Sequence, residues 1–175
     1  MDQTPPGAVL SREAILALLE GPQPLVSGLT DPEAQIQPNG IDLSIDAIWA
    51  LHGSGQLGAR PGDRRLPDRE ALPLGPEGLL LQPGAYLVRL AEEVRLPNDL
   101  MALMRPRSSL ARSGCTLHTA VWDAGYHGRS EALLVVHIAD GFRILPGARI
   151  GQMIFLRLTG ATQGYAGRYQ REHLD

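Results

Sequence analysis

Residues 79–90 read LLLQPGAYLVRL, two short apolar runs separated by a Gln-Pro-Gly segment. Proline and glycine favour turns, so this pattern predicts two strands, Leu79–Leu81 and Ala85–Leu90, joined by a tight turn. The same pattern recurs along the chain, which has 20 glycines and 14 prolines among 175 residues. The other strand candidates are Gly40–Trp49, Leu100–Met104, Thr116–Val121, Ala132–Ile138 and Ile150–Leu158. This spacing favours an all-β sandwich, jelly roll or barrel.

Three segments fall outside this β pattern. Ser11–Leu19 predicts one short N-terminal helix, because Ser11 can cap it and the following aliphatic residues supply an apolar face. Residues 53–78 are rich in Gly, Pro, Arg and Asp without periodicity, which predicts a long surface excursion. Residues 160–175 are polar and contain glycine, which predicts a flexible tail that orders only on a partner. We expect one domain over residues 1–175, with this tail at its end.

Composition argues against several classes of function. A net charge of -3 and a pI near 5.9 give no global basic field, so we expect no binding to nucleic acid or to a membrane surface. No stretch approaches the roughly 20 apolar residues of a membrane span, and the N-terminus lacks a signal-peptide pattern. Cys115 is the only cysteine, so no intrachain disulfide can form. These features predict a cytoplasmic protein.

Residues 105–112 read RPRSSLAR and place three guanidinium groups and two hydroxyl groups within eight residues. Arginine side chains bind paired phosphate oxygens, and hydroxyl or backbone N–H groups at a helix start bind others. The segment therefore predicts a phosphate-binding site. A solvated basic turn with a serine cap is the alternative.

Residues 122–128 read WDAGYHG and place a carboxylate and an aromatic ring three residues apart on a glycine-bounded loop. The carboxylate of Asp123 can take a proton from water, and the ring of Tyr126 can lie against a sugar and exclude an extra hydroxyl group. Alternatively, Asp123 bonds its own backbone in a turn and Tyr126 only fills space.

Four segments, taken in order, resemble the dUTPase and dCTP deaminase superfamily. Its members carry a Gly-x-Asp-Leu strand start, an Arg-Ser-(Ser or Gly)-Leu-Ala segment, an Asp-x-x-aromatic-x-Gly loop and a Gly-x-Arg-Ile-(Gly or Ala)-Gln strand. The matching segments are Gly40–Leu43, Arg107–Ala111, Asp123–Gly128 and Gly147–Gln152. The resemblance covers most of the chain from Leu10 onward. It implies an all-β, dUTPase-like distorted β-barrel or jelly roll with a short N-terminal helix, assembled as a homotrimer.

The resemblance also implies roles for individual residues. Asp123 would orient the attacking water and the 3′-hydroxyl of a deoxyribonucleoside triphosphate, while Tyr126 screens the 2′ position. Asp42 is similar to the acidic residue that supports Mg²⁺ through water, and the ion itself would bridge phosphate oxygens. The residues implied in substrate binding, partly from a neighbouring subunit, are Arg107, Ser108, Ser109, Arg112, Gln152, Tyr169 and Gln170.

The choice between the dUTPase branch and the deaminase branch of this superfamily depends on one position. The N-terminal segment, the double serine and the Tyr169-Gln170 pair resemble deaminases, in which a Glu ten residues after the loop Asp moves protons. Here that position is Leu133, which cannot move a proton, and Glu131 lies two residues earlier. We therefore favour a dUTP diphosphatase that releases dUMP and pyrophosphate. The alternatives are a dCTP deaminase or a bifunctional enzyme, with Glu131 as proton shuttle, and, because the tail is short, a non-catalytic dUTP- or dCTP-binding protein.

Overall fold

The computed structural model describes residues 5–174. The helices are α1 (Arg12–Leu19), α2 (Pro32–Gln35) and α3 (Ser108–Arg112), with a 3-10 turn at Pro61–Asp63. The strands are β1 (Val26–Ser27), β2 (Ile36–Gln37), β3 (Gly40–His52), β4 (Asp68–Leu72), β5 (Leu79–Leu81), β6 (Gly84–Leu90), β7 (Glu93–Arg95), β8 (Leu100–Pro106), β9 (Cys115–His118), β10 (His127–Gly128), β11 (Glu131–Val136), β12 (Phe142–Ile144) and β13 (Arg149–Arg157).

Antiparallel pairing organises these strands around β3. The main sheet has the order β8-β13-β3-β6-β11-β9, and β2 and β4 also pair with β3. Register shifts between Ile45 and Ala47 and between Arg149 and Gly151 mark bulges, which bend a strand and increase its twist. Smaller sheets join β1-β7-β10 and β12-β5. The predicted all-β class is confirmed, with a curved, nearly closed main sheet.

The core lies on the side of the main sheet where every second residue is buried. β8 and β11 alternate between buried and partly exposed positions, the pattern of strands with one face against the core. Ile41, Leu43, Leu134, Met153 and Phe155 are completely buried. This packing fixes the ends of β8, β9 and β13, and therefore the loops that carry the predicted site.

The predicted N-terminal helix is confirmed as α1. Ser11 is its N-cap residue, and the Ser11 hydroxyl oxygen accepts a hydrogen bond from the N–H of Ala14 at 3.4 Å. Ile15 is completely buried against the sheet. Within residues 5–174, no helix combines the length and the apolar character needed to cross a lipid bilayer.

Residues 53–78 form a mostly exposed excursion, as predicted, but it includes a strand that the sequence did not reveal. β4 folds back on β3 with Trp49 opposite Ala71, and Gln56 bridges to Arg65 beyond the end of the pair. The guanidinium group of Arg69 lies 5.0 Å from the centre of the Trp49 ring. We call residues 48–72 the arm. Its β4 strand is charged and mostly exposed, so it carries no alternating apolar pattern from which a strand could be predicted.

The strand expected over Thr116–Val121 is shorter in the structure. β9 pairs with β11 only as far as His118, and Trp122 instead bridges to Ala102 of β8. The chain between them leaves the sheet, because it turns into the loop that carries Asp123.

Candidate active site

The loop between β9 and β10 places the predicted catalytic carboxylate at the surface. The carbonyl oxygen of Asp123 accepts a hydrogen bond from the N–H of Tyr126 at 3.1 Å, which closes a four-residue turn. Gly125, the third residue of this turn, has φ +80°, a value that favours glycine. Asp123 is exposed, whereas Tyr126 is buried. The turn therefore holds an open carboxylate next to a fixed aromatic ring.

Asp123 and Tyr126 both line a cavity of about 1010 Å³. Small-molecule sites commonly measure about 300–1,000 Å³, so a nucleotide can be accommodated. Arg69 of the arm, and Tyr169 and Glu172 near the C-terminus, form other parts of the wall. The structure thus brings together the two loop residues and the tail residue Tyr169 that the sequence predicted for the site.

The hydroxyl group of Tyr126 anchors the ring from behind. Its oxygen lies 2.8 Å from the hydroxyl oxygen of Ser130 and 2.8 Å from Oε1 of Glu172. The indole N–H of Trp122 donates to the same Ser130 oxygen at 2.5 Å. Burial raises the pKa of Tyr126 well above its usual value, so the phenol stays protonated.

The predicted phosphate-binding segment lies at the end of β8 and in α3. Arg107 is the residue immediately before α3, and its side chain is partly exposed. Ser108, Ser109 and Arg112 are exposed on the short helix. Their hydroxyl and guanidinium groups are therefore open to a ligand.

Asp42 organises the arginines around this segment. Its Oδ2 lies 2.9 Å from Nε of Arg107 and 3.5 Å from Nη1 of Arg149. Burial raises the pKa of Asp42, and the charges of the two arginines oppose that shift. Gln152 stands opposite Asp42 in the β3–β13 pair. Asp42, Arg107 and Gln152, three predicted site residues, thus form one cluster together with Arg149, which was not among the predicted site residues.

We call Asp42, Arg107, Arg149 and Gln152, with the neighbouring helix α3, the phosphate cluster. The phosphate cluster and the cavity are separate features of one chain. Among the described residues that line the cavity, none comes from Arg107–Arg112 and none is Gln152. Within one chain, the residues predicted to bind phosphate therefore do not lie around the cavity that contains Asp123.

Glu131 lines the cavity but is held in ion pairs. Its Oε1 lies 2.7 Å from Nη1 of Arg69 and 3.1 Å from Nε2 of His173. Leu133 lies two residues further along the same face of β11 and pairs with His118 of β9. Position 133, where the resemblance implies a Glu in deaminases, is thus apolar here, and Glu131 joins the arm to the tail.

The tail lies against its own loop. The side-chain amide of Gln170 donates to the carbonyl oxygen of Gly125 at 2.9 Å and accepts from the N–H of His127 at 3.0 Å. Gln170, predicted to bind substrate, therefore holds the loop in this structure. The flexibility of residues 160–175 stays a prediction, and Asp175 lies outside the described residues.

Sequence reasoning missed several residues around Tyr126 and Glu131. Ser130 and Trp122 flank the loop, but nothing in their spacing distinguishes a buried hydrogen-bonded pair from a solvated one. Glu172 and His173 lie in a polar segment without periodicity. The glycines at 125 and 128 were the available signal, because glycine often marks close approach of another backbone.

A dedicated protein cage for a metal ion is not found in residues 5–174, where no three His, Cys, Asp or Glu side chains are grouped to hold one. Oxygen atoms that could act as metal ligands do occur at the phosphate cluster. There the Asp42 carboxylate lies beside the segment that carries the Ser108 and Ser109 hydroxyl groups.

Comparison with known proteins identifies the family of this chain. A chain of Methanosarcina mazei named "Probable deoxyuridine 5'-triphosphate nucleotidohydrolase" is 43% identical over 168 residues, covering 95% of this chain and 98% of the relative. A chain of Archaeoglobus fulgidus with the same name is also 43% identical, covering 96% and 99%. The crystal structure of the 2'-deoxycytidine 5'-triphosphate deaminase of Agrobacterium tumefaciens superposes with a TM-score of 0.67 and 26% identity, covering 86% of this chain and 48% of that one. The family model described as dCTP deaminase-like matches residues 9–158, and the chain therefore belongs to this family.

Proposed function

We propose that this chain hydrolyses dUTP to dUMP and pyrophosphate, with Mg²⁺, as a homotrimer. The observation that carries the proposal is the pairing of the exposed Asp123 carboxylate with the Tyr126 ring in one cavity, while Leu133 occupies the deaminase proton-transfer position. The names of the relatives from M. mazei and A. fulgidus support the same activity.

In the proposed reaction, water adds its oxygen to the α-phosphorus. The bond between this phosphorus and the oxygen that bridges to the β-phosphate breaks, and pyrophosphate leaves. Asp123 orients the water and accepts its proton as the attack proceeds. Arg107 and Arg112 neutralise the charge that develops on the leaving pyrophosphate, because guanidinium groups bind paired phosphate oxygens. Tyr126 lies against the deoxyribose and leaves no room for a 2′-hydroxyl group.

Magnesium fits the donors at the phosphate cluster. Mg²⁺ takes oxygen ligands and keeps several waters, so it needs few protein groups when phosphates are present. When bound, the ion would neutralise and align the phosphate oxygens. We assign Asp42 to support the hydrated ion through water, in addition to its ion pairs with Arg107 and Arg149.

The separation of the two groups of residues supports the homotrimer that the family resemblance implies. One chain offers the nucleoside side of the site around Asp123 and the phosphate side around Arg107, but not around the same cavity. Closed rings of identical subunits can bring the phosphate side of one chain to the nucleoside side of the next. Each active site would then use two neighbouring subunits.

Asp123→Asn tests the proposed reaction directly. Asparagine keeps the shape of the side chain but cannot accept the proton, so we expect pyrophosphate release from dUTP to fall by about 10²–10⁴-fold. Binding of dUTP, measured by calorimetry, should be largely retained. Glu131→Gln is the matched control, because it changes a second cavity carboxylate in the same way, and it should keep most of the rate. Undiminished hydrolysis by the Asp123→Asn variant would refute the assignment.

Deamination of dCTP is the second candidate, because Glu131 places a carboxylate in the cavity. Incubation of the wild-type protein with Mg²⁺ and dCTP, followed by an assay for ammonia, distinguishes the two activities. We expect no ammonia. Ammonia release that disappears in the Glu131→Gln variant would instead establish Glu131 as a proton shuttle.

A further inference from the structure

Four side chains in the wall of the cavity form a continuous hydrogen-bond chain. The indole of Trp122 can only donate, and the Tyr126 hydroxyl group donates to Oε1 of Glu172. Ser130 accepts from Trp122, so its hydroxyl proton is free for the Tyr126 oxygen, and the Tyr126 proton goes to Glu172. Each of the two hydroxyl groups thereby accepts one hydrogen bond and donates another, and a buried network connected in this way favours one geometry.

Glu172 reaches this position because the C-terminal segment runs along the loop of its own subunit. The N–H of Arg171 donates to the carbonyl oxygen of His127 at 2.7 Å, and the N–H of Arg129 donates to that of Glu172 at 3.0 Å. Together with the Gln170 amide, these bonds attach the segment on both sides of Tyr126. The carboxylate is thus delivered to the ring by backbone contacts that do not depend on its charge.

Two glycines in the loop make room for this segment. A Cβ atom at Gly125 would lie 2.6 Å from Cα of Gly164, and one at Gly128 would lie 2.8 Å from the Tyr126 hydroxyl oxygen and 3.0 Å from the carbonyl oxygen of Glu172. At both positions, any other residue would force the tail or the ring to shift. The loop is therefore shaped to receive the C-terminal segment.

We propose that Glu172 is a positioning residue for substrate selection: through the Tyr126 hydroxyl it fixes the axis of the ring and so sets how strongly the site rejects a 2′-hydroxyl group. This inference rests on the proposed function. With Ser130 alone, the Tyr126 hydroxyl group has one hydrogen-bond partner. With Ser130 and Glu172 together, it has two partners, which hold it from two directions. Loss of Glu172 lets the ring swing away from the sugar, and the space for a ribonucleotide opens.

The test compares dUTP with UTP as substrates for the wild type, Glu172→Ala, Glu172→Gln and Tyr126→Phe. We expect Glu172→Ala to lower the ratio of kcat/KM for dUTP over UTP by about tenfold, because the ring loses one of the two hydrogen bonds that orient it. Gln retains an acceptor oxygen, so Glu172→Gln should stay within about threefold of the wild type. Arg171→Gln, an exposed neighbouring change in the same segment, should leave the ratio unchanged.

The double variant Tyr126→Phe/Glu172→Ala decides whether Glu172 acts through the hydroxyl group. If it does, the two changes are not additive, and the double variant matches Tyr126→Phe in its dUTP to UTP ratio. Additive losses would refute the proposal, as would an equal decrease for both substrates in Glu172→Ala, which indicates a structural role only. If Glu172→Ala does not fold, Tyr126→Phe alone must lose discrimination, or the proposal fails.

A binding measurement separates this inference from the proposed function. If the wild-type protein hydrolyses neither nucleotide, the proposed function is refuted. The inference is then judged from the ratio of dissociation constants for UTP and dUTP, measured by calorimetry in the same variants. A ratio that falls in Glu172→Ala and is restored in Glu172→Gln supports it, and a ratio that does not change overturns it.

Discussion

At the scale of single residues, Glu92 is a carboxylate buried completely within the described fold. Its Oε1 accepts from the side-chain amide of Gln35 at 2.6 Å, and its Oε2 accepts from the N–H of Ser44 at 2.8 Å. Burial raises the pKa of Glu92, and these hydrogen bonds oppose the shift. Because the folded state holds this proton more tightly than the unfolded state, the stabilising contribution of Glu92 is complete below the unfolded pKa and falls as pH rises through the folded pKa.

Glu92→Gln should therefore have its largest effect under acidic conditions. We expect the free energy of unfolding at pH 5 to fall by about 1–3 kcal/mol, because the new amide group meets the Gln35 amide and one of them loses its partner. The difference from the wild type should shrink between pH 5 and pH 8. Chemical denaturation at both pH values measures it, with the exposed Glu77→Gln as control. A difference that grows with pH would contradict the raised pKa.

The sequence identified the residues whose chemistry is local to a motif and missed those recruited from far along the chain. Asp123 and Tyr126 lie three residues apart, so their turn and their shared cavity could be predicted. Glu172 contacts Tyr126 across 46 positions. A lone Glu in a polar tail carries no pattern that reveals such a contact, because tertiary packing alone brings it there.

At the scale of elements, Gly40 determines how closely β3 approaches β13. A Cβ atom at this position would lie 2.4 Å from the carbonyl oxygen of Met153. That oxygen belongs to the backbone of a strand paired on both sides, so it cannot move aside at low cost. Packing thus requires Gly40, the glycine of the Gly-x-Asp-Leu motif, and this glycine keeps Asp42 in register with Gln152.

Gly40→Ala should therefore destabilise the fold by about 1–3 kcal/mol, the usual cost of overpacking. Thermal unfolding followed by circular dichroism measures the loss. Gly62→Ala is the matched control, since a Cβ atom there meets nothing within 4 Å, and its melting temperature should stay the same or rise slightly. Equal melting temperatures for wild type and Gly40→Ala would show that β3 and β13 adjust more freely than their pairing indicates.

The arm shows why some elements could not be predicted. Strands that pack on the core, such as β8 and β11, are runs of mostly apolar residues, and such runs are visible in the sequence. β4 has no such pattern, since it is stabilised by pairing with β3 and by the stacking of Arg69 on Trp49. A strand whose stability comes from its neighbour can be recognised only when the neighbour is placed.

At the scale of the whole molecule, the fold class followed from the spacing of short apolar runs, but the arrangement of the site did not. The order of strands in the main sheet separates α3 from the cavity, although both were predicted to contact one substrate. No spacing along a single chain encodes the contact between two copies of it. The shared site is therefore a property of the proposed assembly.

Mixed assemblies provide the test of a shared site. Asp123→Asn removes the nucleoside side and Arg112→Glu the phosphate side, so each variant alone should be almost inactive. If each site combines the nucleoside side of one subunit with the phosphate side of its neighbour, random assembly at equal amounts restores about one quarter of the sites. Co-expression with two different affinity tags, followed by pyrophosphate release from dUTP, measures the recovery. Where both sides belong to one chain, every site in the mixture carries a substitution, and the mixture would stay as inactive as its components.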